Sequence, residues 1–266
     1  MKKNEIPYFD ELPYWSAPFG LTLINSLKIK NGINILDIGS GTGFPLIEIA
    51  QMYGVSSQIY GIEPRQDVIN IINKKIKLQN IKNATVKKCK AERMPFSDEF
   101  FDLIVSNNGI NNVDDEIAVL SECFRVSKKG AQFYITLNLP GTMKEFYNIL
   151  FQSLLESNMQ ETVNDIKKLI GKKRKAIAYW KAAIINAGFK EITVKKNQFY
   201  YRYADGTSFL NSWFVREAYI NPIKAIVSNE LIENVLSNTE KTLNCFSSKN
   251  GELRMSIPFV CLSFTK

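Results

Sequence analysis

The sequence predicts an α/β fold on a doubly wound, mostly parallel sheet. Three observations carry that reading. The first is Asn34 to Phe44, a short apolar strand that ends in Asp37 and runs into glycines at 39, 41 and 43. The second is a strand-then-helix alternation repeated along residues 33–138, the pattern of a parallel sheet covered by crossover helices. The third is Glu63, at the end of the next strand and twenty residues beyond Gly43. An acid so placed can accept two hydrogen bonds from a ribose diol.

The elements follow in order. Pro45 to Tyr53 reads as the helix after the glycine turn. Ser57 to Ile62 reads as the second strand. Gln66 to Leu78 is helical, with Val68, Ile69, Ile72 and Ile76 on one side, the spacing of an amphipathic helix. Ala84 to Cys89 is a third strand and Phe101 to Ser106 a fourth, with Asn107, Asn108 and Gly109 at its end. Ile117 to Val126 is a helix stopped by Lys128, Lys129 and Gly130, where cations suit the carbonyl end of the dipole. Gln132 to Asn138 is a fifth strand.

The glycine spacing narrows the chemistry. A dinucleotide loop needs a small residue where this chain has Phe44, because there the helix packs closely on the strand. A phosphate loop of the G-x-x-x-x-G-K-[ST] type is absent. What remains is D-x-G-x-G-x-G over Asp37 to Gly43. This pattern closely resembles that of the class I S-adenosylmethionine (SAM)-dependent methyltransferases. Lys90 to Phe96 (KAERMPF) looks like the family's D-A-E-x-L-P-F segment, and Ala187-Gly188-Phe189 is a phrase common in it. The match covers about residues 33–138, with looser continuation to the C-terminus.

The resemblance implies a Rossmann-like sheet of seven strands, SAM as cofactor and S-adenosylhomocysteine as product. It implies that Asp37 orients the methionine amino group, and that Gly39, Gly41 and Gly43 give bare backbone beside the methionine and ribose. Glu63 would hold the ribose hydroxyls, Pro64 would flank the adenine, and Asn107 would offer its backbone carbonyl to the amino group. One position departs. The family's usual adenine-binding Asp is replaced by Lys90, which has only donors. Glu92 could take that role, backbone near Ala91 could take it, or the site is altered.

Composition sets bounds. At 45% hydrophobic residues the chain is an ordinary globular one. No apolar run is long enough to span a bilayer, and the charged N-terminus leads into no secretory segment. The expectation is a cytoplasmic protein with no membrane partner. Four scattered cysteines read as reduced thiols, and with no histidine there is no Cys/His zinc site and no histidine base; no metal is expected. The net charge of +8 comes from bases spread along the chain, as in lysine-rich proteins of AT-rich genomes, which argues against a nucleic-acid partner. Only Lys172 to Lys175 is dense, and it reads as a solvated helix start. Ser106 to Gly109 is not the [N/D]-P-P-Y motif of the family's amino-methylating members.

Three segments are not needed by the sheet. Residues 1–32 are expected as an N-terminal lid, with Ile6, Tyr8, Phe9, Leu12, Tyr14, Trp15 and Phe19. Gly141 to Gly171 contains an amphipathic helix through Met143, Phe146, Tyr147, Leu150, Phe151 and Leu154. Lys175 to Ala187 then covers the sheet, with Gly188 as its stop, Phe189 to Val194 as strand six and Ile257 to Phe264 as the last strand. Between them, 199–255 is expected as a mostly helical substrate cap rich in aromatics. The cofactor domain is then 33–198 with 256–266. The whole reads as a SAM-dependent methyltransferase acting on a small apolar or planar molecule by in-line displacement. An RNA or protein acceptor, or SAM binding without catalysis, are the alternatives.

Overall fold

The computed structural model describes residues 12–227 and 229–266; Ile6, Tyr8 and Phe9 of the expected lid lie outside them. Seven strands form one sheet in the order β3-β2-β1-β4-β5-β7-β6. They are β1 (Asn34–Ile38), β2 (Gln58–Glu63), β3 (Ala84–Lys88), β4 (Phe101–Asn107), β5 (Ser127–Asn138), β6 (Lys190–Tyr203) and β7 (Leu253–Thr265). β1 pairs in parallel with β2 and β4, β2 with β3, and β4 with β5. β7 runs antiparallel to β5, from Gln132 opposite Thr265 to Asn138 opposite Phe259.

The chain divides into two compact units. The first, as described, comprises 12–138, Ala176–Asn197 and Phe259–Lys266. Its helices are α1 (Pro13–Ile24), α2 (Leu46–Tyr53), α3 (Gln66–Leu78), α4 (Glu116–Val126) and, after two helices of the second unit, α7 (Ile177–Asn186). The second unit is Leu139–Lys175 with Gln198–Pro258, a broader division than 199–255 alone. It holds α5 (Lys144–Glu156), α6 (Gln160–Lys173), α8 (Gly206–Asn211), α9 (Trp213–Val215), a π turn at Arg216–Ile220, α10 (Asn221–Lys224) and α11 (Asn229–Asn250). No helix among the described residues is long and apolar enough to cross a membrane.

Local chemistry sets the helix ends. Asp115 caps α4, its Oδ1 accepting from the amides of Ile117 and Ala118 at 3.0 Å each. The amide donors at a helix start otherwise lack partners. α7 closes on Gly188, with φ +98°. The amides of Gly188 and Phe189 reach back to the carbonyls of Ile185 and Ile184, a Schellman closure. Asn80 closes α3 in the same manner, with φ +54° and Ile81 donating to Ile76. Asn83, buried, donates to the carbonyls of Ala50 and Gly54 and so satisfies the end of α2.

The sheet unit's core packs on both faces. One cluster joins Leu23, Ile35, Leu46, Ile49, Ile59, Ile72 and Val105. An aromatic group stacks Phe133, Phe189 and Phe264 at centroid distances of 4.6–5.8 Å. At the entry edge, Asp102 accepts from the Asn34 amide at 2.9 Å and from Lys128 Nζ at 2.8 Å, tying β1, β4 and β5 together.

Three differences from the sequence reading have physical reasons. β6 runs on to Tyr203, so Phe199, Tyr200, Tyr201 and Tyr203 are strand residues; aromatic side chains suit a pleated surface. Lys172 and Lys173 end α6 and do not start a helix, which places both cations at the carbonyl end of its dipole. α2 begins at Leu46, with Pro45 as the residue before it.

Gly61 in β2 has no room for a side chain. A Cβ there would lie 2.5 Å from Leu46 Cδ1 and 2.5 Å from Ser40 Oγ. Gly61→Ala is therefore expected to lower stability by about 1–3 kcal/mol through overpacking, read as a lower urea midpoint. A neutral outcome would show that Leu46 relaxes freely.

Candidate active site

The site lies at the carboxyl ends of β1, β2 and β4, beside the point where strand order reverses. Ligands bind there in open parallel sheets. β1 ends just past Asp37, and the chain turns sharply. Gly39, Gly41 and Gly43 all have positive φ (+72°, +52° and +117°), a region open to glycine at little steric cost. The amides of Gly39 and Ser40 both donate to the Ile62 carbonyl, at 3.0 and 3.1 Å, so β2 holds the loop. The loop is also pinned from β4. A Cβ on Gly39 would meet Gly109 Cα at 3.3 Å, and one on Gly109 would lie 2.6 Å from the Ile38 carbonyl oxygen.

Asp37 is 1% exposed, and neither carboxylate oxygen has a hydrogen-bond partner among the described residues. Burial pushes its pKa up to about 7; the neighbouring Ser40 hydroxyl, which donates at 3.1 Å to the Asp37 backbone carbonyl rather than to the carboxylate, opposes the rise, and Glu63 and Glu48 add to it. Glu63 is also buried. Its Oε2 accepts from the Gly41 amide at 3.3 Å, and its Oε1 accepts from the Arg65 amide at 3.2 Å and from Arg65 Nε at 2.7 Å. A carboxylate has about four lone-pair directions, so three bonds leave room for another donor.

The other residues singled out in the sequence fall into place around this loop. Pro64 is exposed, beside Glu63. Ala91 is buried. Glu92 Oε1 accepts from the amides of Asp114 and Asp115 at 3.0 and 3.3 Å. Lys90 is exposed and pairs with Asp114 at 2.6 Å, so its ammonium is engaged at the surface. The Asn107 side chain accepts from Thr136 Oγ1 at 2.8 Å and donates to the Ser16 carbonyl at 3.5 Å.

Sequence reasoning missed several partners. Arg65 on Glu63 is one; its only signal was its place two residues past the acid. An amide network is another. Asn111 Nδ2 donates to Asn138 Oδ1 at 3.1 Å, and Asn108 Oδ1 accepts from the Asn138 amide at 3.3 Å. The packing of α1 is a third. Gly20 lies against Phe44, where a Cβ would fall 2.1 Å from the ring. Phe44 is large because Gly20 leaves it the space.

A family model described as a methyltransferase domain matches residues 29–204, about two thirds of the chain. The chain belongs to this methyltransferase family. It is an S-adenosylmethionine-dependent methyltransferase, with S-adenosylhomocysteine as the product form of its cofactor. A demethylmenaquinone methyltransferase of Lactobacillus johnsonii is 31% identical over 184 residues, covering 64% of this chain and 73% of the relative. The match to the same-named protein of Anoxybacillus flavithermus, 29% identical, spans 40% of this chain and 45% of that one. The methyltransferase also shares its fold with solved structures. The YcgJ protein of Bacillus subtilis has TM-score 0.60 at 14% identity, over 94% of this chain and 98% of that one. A SAM-dependent methyltransferase of Aquifex aeolicus has TM-score 0.55 at 18% identity, over 73% and 92%.

The methyltransferase's residues fit that cofactor on their own chemistry. The cofactor carries a cationic amino group, and Asp37 is a buried carboxylate with neither oxygen hydrogen-bonded among the described residues. It carries a ribose diol, and Glu63 retains acceptor capacity. Its chain must pass close to backbone, and the loop offers three glycines. The bases and acids among the described residues form no group of three or more that could hold a metal.

The raised pKa of Asp37 has a sign. A carboxyl bound to a proton in the fold up to about pH 7, but only to about pH 4 when unfolded, loses stability as pH rises between those values. Above pH 7 the full penalty applies, at most about 4 kcal/mol. Asp37→Asn is expected to raise the melting temperature at pH 8 and to flatten the dependence between about pH 4 and 7. A variant less stable than the parent at pH 8 would contradict this.

Proposed function

We propose that the first unit binds SAM through Asp37, the glycine loop and Glu63, and that the second unit selects a small, flat, largely apolar methyl acceptor. The observation that carries the cofactor assignment is the Asp37 carboxylate, buried with no hydrogen-bond partner on either oxygen among the described residues. Burying an unpartnered acid is unfavourable. Such a group persists where a ligand cation satisfies it.

In this reading Asp37 accepts from the methionine amino group. Gly39, Gly41 and Gly43 let the backbone approach the methionine and ribose. Glu63 accepts from the ribose hydroxyls while Arg65 and the Gly41 amide keep its carboxylate oriented. Pro64 flanks the adenine, and Ala91 and Glu92 lie on its edge. The Asn107 backbone carbonyl gives a second acceptor for the amino group, and its side chain joins β4 to β5 and to α1. α1, with Tyr14, Trp15 and Phe19, is the part of the lid that closes beside the loop. Bound there, the cofactor supplies a methyl group on a cationic sulfur with an excellent leaving group. The protein's own contribution is alignment and exclusion of water.

The acceptor assignment rests on the composition of the second unit. Phe146, Tyr147, Tyr201, Phe209, Phe214 and Tyr219 are all buried in it, and pockets for flat ligands are lined by such side chains. The name of the 31%-identical relative, a demethylmenaquinone methyltransferase, is consistent with a flat ring acceptor. The protein in this reading is cytoplasmic.

Calorimetry with S-adenosylhomocysteine tests the cofactor site. One-to-one binding is expected, weakened in Glu63→Ala by about 1.5–3 kcal/mol, or roughly tenfold to a hundredfold in Kd. A folded Glu63→Ala that binds as tightly as the parent would refute the ribose assignment.

A further inference from the structure

The second unit carries a side-chain cluster that the cofactor assignment leaves unused. Arg174 follows the end of α6. Its guanidinium lies over the rings of Tyr147 and Tyr219, 5.7 and 5.4 Å from their centroids. Nη1 donates to the Thr142 carbonyl at 3.4 Å. No carboxylate pairs with it among the described residues. Arginines are rarely fully buried without a partner, and Arg174 is half-buried. A guanidinium has five N–H donors in a planar fork; one goes to the Thr142 carbonyl, the fork also reaches the hydroxyl oxygens of Tyr147 and Tyr219, and the remaining donors have no acceptor among the described residues.

The neighbours of that fork are also donors. Tyr147 and Tyr219 are 9% and 3% exposed. Burial raises both hydroxyls above their ordinary pKa, and Arg174 opposes the rise without cancelling it. Both phenols therefore stay protonated at neutral pH. Tyr219 sits in the π turn Arg216–Ile220, a distortion found mostly at functional sites. Phe146, Phe151 and Phe214 pack on the same tyrosines at 5.2–5.8 Å. The result is one cation and two hydroxyl donors set in flat apolar rings, with no carboxylate paired to the cation among the described residues.

We propose that Arg174, Tyr147 and Tyr219 form an acceptor-recognition site that binds an anionic oxygen carried on a flat ring, such as a carboxylate, phosphate or phenolate. Arg174 grips the anion with its fork, the two hydroxyls donate to it, and the surrounding rings hold the planar body. The inference rests on the reading that this unit selects the acceptor. It narrows that acceptor from any flat molecule to an anionic one, and it makes these three residues determinants of specificity.

The test uses the full chain, with and without saturating S-adenosylhomocysteine. Binding of benzoate, phenyl phosphate and benzamide is measured by calorimetry. At least one anion is expected to bind about tenfold or more tightly than neutral benzamide, the scale of a charge-assisted bond. Arg174→Gln should erase that preference. Arg174→Lys, which keeps the charge and loses the fork, should retain part of it, and Tyr219→Phe should reduce it several-fold. Each variant is checked for an unchanged S-adenosylhomocysteine Kd and for a parental circular-dichroism spectrum and melting temperature, which together show that both units stay folded. Equal binding of benzoate and benzamide, a preference that survives Arg174→Gln, or no binding of any probe would overturn the proposal. Failure of S-adenosylhomocysteine to bind is a separate result. It sinks the cofactor assignment, while the anion preference without cofactor still decides this one.

Discussion

The structure depends on one unusual burial. Asp37 stands at the tip of a central strand with both oxygens unpartnered, and its pKa is driven to about 7. An unpaired buried acid favours its neutral form, so the fold carries a group whose charge awaits a cation. The surroundings keep it that way. Glycines at 39 and 109 touch so closely that no side chain fits between the loop and the end of β4. The amides of Gly39 and Ser40 go to the Ile62 carbonyl, that of Gly41 to Glu63 and that of Gly43 to the Ser40 carbonyl.

That constraint orders the residues around it. β2 ends in a second acid, Glu63, whose charge adds to the rise that burial imposes on Asp37. Arg65 and the Gly41 amide neutralise and orient Glu63, so the two acids divide their tasks. Glu63 is already paired, Asp37 is not. The glycine loop also fixes Phe44, whose ring needs the bare backbone of Gly20. A single stretch of β1 and loop thus sets the buried Asp37, a partner of the second acid and the seat of the N-terminal helix. The second unit follows a different logic. It is an aromatic assembly in which the Arg174 guanidinium lies over two tyrosine rings.

Much of this was legible in the sequence, for physical reasons. The parallel strands are short apolar runs, and the covering helices show the 3.6-residue period, so Gln66–Leu78 fell where expected. Asp37, the glycines and Glu63 were visible because a strand ending in an acid before a glycine turn is a local pattern. Partners set by tertiary packing were not visible. Nothing in the sequence tells that Gly20 faces Phe44, that Lys90 pairs with Asp114, or that Arg174 lies over Tyr147 and Tyr219. The strand at Phe199–Tyr203 was missed because its aromatic residues suit a strand and a helical core equally. Lys172 and Lys173 were placed at the wrong helix end because the helix before them, α6, has a largely polar sequence with few periodic apolar residues.

The central claim is that Asp37 holds the cofactor's cationic amino group. Calorimetry of S-adenosylhomocysteine binding in buffers of different ionisation enthalpy measures it directly. A bound cation lowers the pKa of a neighbouring carboxyl, so a largely protonated Asp37 must give up its proton on binding. The account predicts net proton release at about pH 6.5, fading by about pH 8.5, where the free protein is already ionised. It also predicts that Asp37→Asn removes the release. Tight binding with no proton exchange at pH 6.5, or release that persists in Asp37→Asn, would contradict it.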